Sequence, residues 1–139
     1  MIKNSIAIAT VALLFSFSLL APAFTFDKKL HDFGKIPQGE PVKCTFTFTN
    51  TGDGPIILTD VKPSCGCTTP LWPKEPIMPG QKAEIKAEFN AAADGVFDKT
   101  ITVHSNVDGP AIELKLKGNV EKTSKVTIDE DAQELKLGK

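Results

Sequence analysis

The chain alternates. In "VKCTFTFTN", Val42, Cys44, Phe46 and Phe48 fall on one side of an extended backbone and Lys43, Thr45, Thr47 and Thr49 on the other. "KAEIKAEFN" repeats the pattern with Ala83, Ile85, Ala87 and Phe89 against Lys82, Glu84, Lys86 and Glu88, and "AIELKLKG" with Ile112, Leu114 and Leu116 against Glu113, Lys115 and Lys117. "VFDKTITVHS" sets Phe97, Ile101 and Val103 on one side. A period of two places successive side chains on opposite faces, so each segment predicts a strand with one buried and one wet face. Antiparallel sheets carry that signature, whereas parallel sheets buried on both faces read as continuous apolar runs.

Turn residues punctuate these segments: Pro37-Gln38-Gly39-Glu40-Pro41, Thr51-Gly52-Asp53-Gly54-Pro55, Pro79-Gly80, Ala93-Asp94-Gly95 and Asp108-Gly109-Pro110. They delimit strand candidates near 24–36, 42–50, 55–62, 66–72, 82–90, 95–105 and 111–118. No useful helical periodicity follows residue 23. The expected fold class is all-β, a single immunoglobulin-like antiparallel β-sandwich of about seven strands over 24–120. The inter-sheet cysteine pin of antibody domains is absent, because "TITVHS" offers no cysteine opposite Cys44.

The ends differ from the middle. Lys3, the apolar run Ile6 to Leu20 and Ala21-Pro22-Ala23 have the layout of a secretory signal peptide spanning 1–23. The run is short for a membrane span, which wants about 20 apolar residues. No cysteine lies near the cut to accept a lipid. The expectation is an extracytoplasmic protein, periplasmic or secreted, with no stable transmembrane span after cleavage. Residues 121–139, charged and poor in large apolar side chains, read as a solvated tail.

Charge then narrows the partners. The 16 basic residues, all lysine, face 17 acidic ones. A near-neutral chain without arginine lacks the planar fork that grips phosphate, so nucleic acid is not an expected partner.

Candidate chemistry concentrates in "SCGCTTPLWPKEPIMP". Cys65 and Cys67 stand one glycine apart and support three readings. They can close a local disulfide, since residues two apart in a bent chain fall within disulfide reach. A ring that small would be strained and open to thiol exchange, although only Lys62 lies near in sequence to favour a thiolate. They can be structural, with Cys44 bridging to one of them; three cysteines leave one unpaired within the chain. Or they can hold a soft metal such as copper, with His104 or His31 as weak further candidates, though a structural zinc site wants two such pairs and the chain has one. Pro70, Pro73, Pro76 and Pro79 recur every third residue, the period of polyproline II. They read as cover for a sheet edge, or as a docking ridge formed by Pro70, Pro73 and Pro76 with Trp72 as anchor.

Elsewhere the signals are structural. His31 in "HDFG" lacks every other kinase element and reads as a strand-end residue. Asp53, Asp94 and Asp108 belong to glycine turns, and Asp129, Glu130 and Asp131 to a solvated face. No nucleophile, base and acid are assembled for hydrolysis, so the chain is expected to be no enzyme and to carry no cofactor.

The segments "HDFGKIPQGEPV", "FTFTNTGDGPIIL", "VKPSCGCTTPLWPKEPIMPGQ", "GVFDKTITVHSN" and "LKGNV" closely resemble a secreted bacterial family, domain of unknown function 1573, over roughly 30–120, with Ser64-Cys65-Gly66-Cys67-Thr68 the most specific part. The resemblance implies an immunoglobulin-like sandwich related in shape to major sperm protein and Hydin-type domains, and brings no reaction or substrate. The functional expectation is a non-enzymatic adhesion or assembly module that presents strand edges and the proline-rich loop to a protein partner; the alternative is a thiol-disulfide or soft-metal handling protein acting through Cys65-Gly66-Cys67.

Overall fold

The computed structural model of the chain describes residues 21–123. The expected signal peptide lies outside these residues except for 21–23, and the expected tail except for 121–123. Among the described residues no helix is long and apolar enough to cross a membrane. Eight strands form: β1 (Phe24–Phe26), β2 (Leu30–Pro37), β3 (Val42–Asn50), β4 (Leu58–Pro63), β5 (Thr68–Leu71), β6 (Lys82–Phe89), β7 (Gly95–Ser105) and β8 (Ile112–Glu121). They make two four-stranded sheets, ordered β1-β3-β6-β5 and β2-β8-β7-β4.

The alternating segments take the orientation their pattern demands. Phe46 and Phe48 of β3, Ile85 of β6, Ile101 of β7 and Leu114 and Leu116 of β8 are fully buried between the sheets. Lys43 pairs with Glu88 across the wet face of β3 and β6, a surface ion pair of 3.2 Å worth at most about 1 kcal/mol.

Two expectations are corrected. The first strand candidate, 24–36, is two strands, which raises the count from seven to eight. Phe24 and Phe26 pack on Phe48, at 5.2 Å between ring centroids in each case, and hold β1 in the first sheet. The charged stretch Asp27-Lys28-Lys29 has no apolar side chain to bury, and there the chain crosses to the second sheet. The sandwich is therefore not wholly antiparallel: β2 runs parallel to β8, from Leu30 opposite Lys115 to Pro37 opposite Glu121.

The register of β2 shifts between Asp32 and Lys35. Gly34 has φ of 65°, a left-handed conformation that side chains disfavour, and its N–H donates to Asp32 Oδ1 at 2.8 Å. That bond, reinforced by Lys117, holds the Asp32 carboxyl below its ordinary range. The "HDFG" run is thus the recipe for a β-bulge. His31 stacks on Phe33 at 4.4 Å and accepts from Lys28 Nζ at 2.9 Å.

Candidate functional site

The Cys65–Cys67 corner joins the two sheets. β4 ends at Pro63 in the second sheet and β5 begins at Thr68 in the first, so the cysteines lie on the crossing. Both sides of the corner are pinned. Ser64 N–H donates to Thr100 O at 2.7 Å and Thr100 N–H returns a bond to Ser64 Oγ at 3.0 Å, fixing the corner to β7. Asn90 N–H donates to Cys67 O at 3.0 Å, fixing it to the end of β6.

Cys65 and Cys67 are joined through their sulfurs, with Cα atoms 5.3 Å apart, inside the range a disulfide needs. Cys67 N–H donates to Cys65 Sγ at 3.3 Å. In the chain-entropy account, closing so short a loop stabilises by only about 1.5 kcal/mol, roughly half the value for a fifteen-residue loop. With backbone bonds already holding both flanks, the bridge adds little to the fold.

Cys67 packs against the core and lines a cavity of about 200 Å³ at one end of the sandwich, together with Phe89, Asn90, Phe97 and Lys99. Lys99 is the residue that sequence reasoning passed over. It follows Phe97 by two and precedes Ile101 by two, and it stands opposite the buried Leu116 of β8. It therefore occupies a core-facing position and is half-buried. Inward charges often blunt sheet edges, but β7 is an inner strand, so edge protection does not explain this one. The break in the series Phe97, Ile101, Val103 was the available signal. The buried Thr68 hydroxyl, one residue beyond Cys67, has no hydrogen-bond partner.

Cys44 takes no part in the corner. It is a buried free thiol on β3, so the reading that bridges it to Cys65 or Cys67 is corrected. Its partner across β6 is Ala87, which in turn faces Pro70 on β5. Two inter-strand steps make about 10 Å, beyond disulfide reach. Burial pushes the Cys44 thiol up to about 11.

His104 does not join the cysteines either. It pairs with Asp60, four residues along β7 from Thr100, a span of about 13 Å. Among the described residues no group of three or more His, Cys, Asp or Glu could hold a metal ion.

The proline-rich stretch begins as edge structure and then folds back. Pro70 lies in β5, the outer strand of the first sheet, where a residue lacking N–H suits an unpaired edge. Pro73 and Pro76 follow as the chain returns to bridge Ile77 to Ile56, through bonds of 2.9 and 2.8 Å. Trp72 is half-buried against the core, and Lys74 Nζ lies over its ring at 2.9 Å from the centroid. Its neighbour Leu71 points the other way and is 66% exposed. Leu71, with Thr69, Thr45, Lys43, Lys86 and Glu88, lines a groove of about 380 Å³ on the outer face of the first sheet. Alternation along β5 was the signal: Thr68 and Pro70 turn inward, so Trp72 does too and Leu71 does not.

Comparison with known proteins extends these observations. The fold resembles a protein of unknown function from Porphyromonas gingivalis W83, with TM-score 0.64 and 20% identity over 73% of this chain and 48% of that one. The chain thus spans about half the length of that relative. It also resembles PapD-like domain 7 of human CEP192, with TM-score 0.61 and 9% identity over 86% of this chain and 99% of that domain. A third likeness is to the VesB protease of Vibrio cholerae, with TM-score 0.55 and 15% identity over 70% of this chain and 32% of that one. At these identities the likeness is one of fold: an immunoglobulin-like sandwich. No curated protein matches the chain in sequence. Residues 24–120 match the model of the family described as "Protein of unknown function (DUF1573)", and to that family the chain belongs.

Proposed function

We propose that the chain is a non-enzymatic, extracytoplasmic binding module that engages a protein partner through the outer face of its first sheet. The observation that carries this reading is Leu71, a large apolar side chain 66% exposed on the wall of the β3–β6–β5 groove. What distinguishes Leu71 is its setting in a groove ringed by charged residues, the layout of an apolar interface centre with a polar rim. The partner would offer an apolar side chain to Leu71 and polar groups to Lys43, Lys86 and Glu88.

The sheet edges support the same choice by being poor templates. β1 has three residues, β5 has four including Pro70, β2 is bulged at Gly34, and β4 is irregular between Leu58 and Asp60 and ends in Pro63. Short strands, bulges and prolines discourage strand addition, which favours a side-chain surface over an edge. The exported location rests on the apolar run Ile6 to Leu20.

Affinity capture from the compartment fraction of the source cells tests the reading. Leu71→Asp is expected to lower recovery of the wild-type partner by roughly tenfold, the effect of losing one anchor of an interface. Cys65→Ser combined with Cys67→Ser is expected to leave recovery unchanged. Full recovery by a folded Leu71→Asp protein would refute the groove as the contact.

A further inference from the structure

We propose that Cys65–Cys67 is a thiol–disulfide exchange site that accepts electrons from a protein or peptide dithiol, with Cys67 the attacked sulfur and Lys99 the residue that draws the incoming thiolate. This site is distinct from the Leu71 groove, and the proposal does not rest on the binding reading.

Three observations converge. The bridge is a minor staple of the fold, because its loop is short and Ser64 and Cys67 are also held by hydrogen bonds to Thr100 and Asn90 on either side. Reduction can therefore open the ring without releasing the corner. Cys67 lies on the wall of the 200 Å³ cavity, so one of the two sulfur-bearing residues borders a space a substrate group can enter. Lys99 lines the same cavity from a core-facing position on an inner strand, and the carboxylate that shares the lining, Asp94, is paired with Lys122 at 3.4 Å. Among the described residues Lys99 takes no part in the ion pairs. A cation there raises the local concentration of thiolate and favours it over the thiol.

The hydrogen bond inside the corner assigns the direction. Cys65 Sγ already accepts from Cys67 N–H at 3.3 Å. A sulfur that leaves as thiolate is stabilised by such a donor, and exchange is faster when the leaving thiolate is stabilised.

The first substrate thiol loses its proton to water, and its thiolate attacks Cys67 Sγ in line with the S–S bond. That bond breaks, its electron pair passes to Cys65 Sγ, and a mixed disulfide joins Cys67 to the substrate. The second substrate thiolate then attacks the substrate sulfur of that mixed disulfide and expels Cys67 as thiolate. Both cysteines take up protons equal to those the substrate lost. The substrate leaves oxidised by two electrons as a disulfide, and the protein is left as the dithiol.

The test mixes the oxidised full-length mature chain with a reduced two-cysteine peptide, quenches with acid, alkylates, and reads Cys65 and Cys67 by mass spectrometry. An oxidised peptide of Ser64 to Thr68 serves as reference. The folded protein is expected to exchange about tenfold faster than the reference peptide. Lys99→Gln, with an unchanged circular dichroism spectrum, is expected to slow exchange on the order of threefold to tenfold, and added salt to narrow that difference. Presented with an oxidised two-cysteine peptide, Cys65→Ser is expected to form an adduct at Cys67 faster than Cys67→Ser forms one at Cys65. A rate no better than the reference peptide, indifference to Lys99→Gln, or preferential adduct formation at Cys65 would overturn the assignment.

Discussion

The side-chain amide of Asn50 donates to the carbonyl oxygen of Ile77 at 2.9 Å, from the last residue of β3 to the bridge that closes the proline-rich return. The same amide donates to Gly54 O at 2.7 Å, and Asn50 Oδ1 accepts from Gly52 N–H at 3.0 Å. Asn50 is fully buried, and its side chain supplies the partners of Gly54 O and Gly52 N–H and a second donor to Ile77 O, which Ile56 N–H already meets. Asn50→Ala is expected to cost about 1–3 kcal/mol, because it leaves the buried Gly54 carbonyl without its partner. Urea unfolding of the two proteins measures it, and a loss under about 0.5 kcal/mol would show the loops to be held by other means.

Gly118 is required where β8 passes Phe97. A Cβ there would stand 2.8 Å from two atoms of the Phe97 ring and 2.9 Å from Gly34 O, too close for either to remain in place. Gly118→Ala is expected to destabilise by about 1–3 kcal/mol, the usual cost of overpacking. Pairing it with Phe97→Leu, which shortens the obstructing side chain, is expected to cost less than the sum of the single changes. Strict additivity in thermal unfolding would mean that ring and Cβ never meet.

Cys44 makes alkaline stability a readout of burial. Its thiol titrates near 11 in the folded chain against an ordinary 9.0, because burial penalises the thiolate. Between those values the unfolded chain has lost a proton that the folded chain retains, so stability falls as pH rises through that window and is fully present below it. Cys44→Ala removes the contribution. The stability difference between the wild type and Cys44→Ala is expected to shrink from pH 9 to 11, followed by urea unfolding at each pH. A difference that stays flat would mean the thiol is not held neutral by its surroundings.

Much of this architecture was legible because β3, β6 and β8 alternate strictly, and alternation is a local property each strand carries alone. The partner of a strand is not local. Nothing in "LHDFGKIP" states that it lies parallel to β8, since Phe33 and Ile36 would be buried equally well beside a neighbour of either direction. The division of the first candidate into β1 and β2 was visible only as the three polar residues Asp27, Lys28 and Lys29. At the corner the cysteine pair was evident from spacing, but Lys99 enters through the pairing of β7 with β8, thirty-two residues beyond Cys67. Trp72 drew notice for its size, whereas the parity of β5 turns it inward beneath Lys74 and leaves Leu71 outside.

Site-specific photo-crosslinking in the source cells tests the binding account most directly. A photoreactive side chain at position 71, in the outer-face groove, is compared with one at position 60 on the β4 edge and one at position 35 on the β2 edge. The account predicts one discrete adduct from position 71 and none from the two edges. An adduct from either edge with position 71 silent would contradict it.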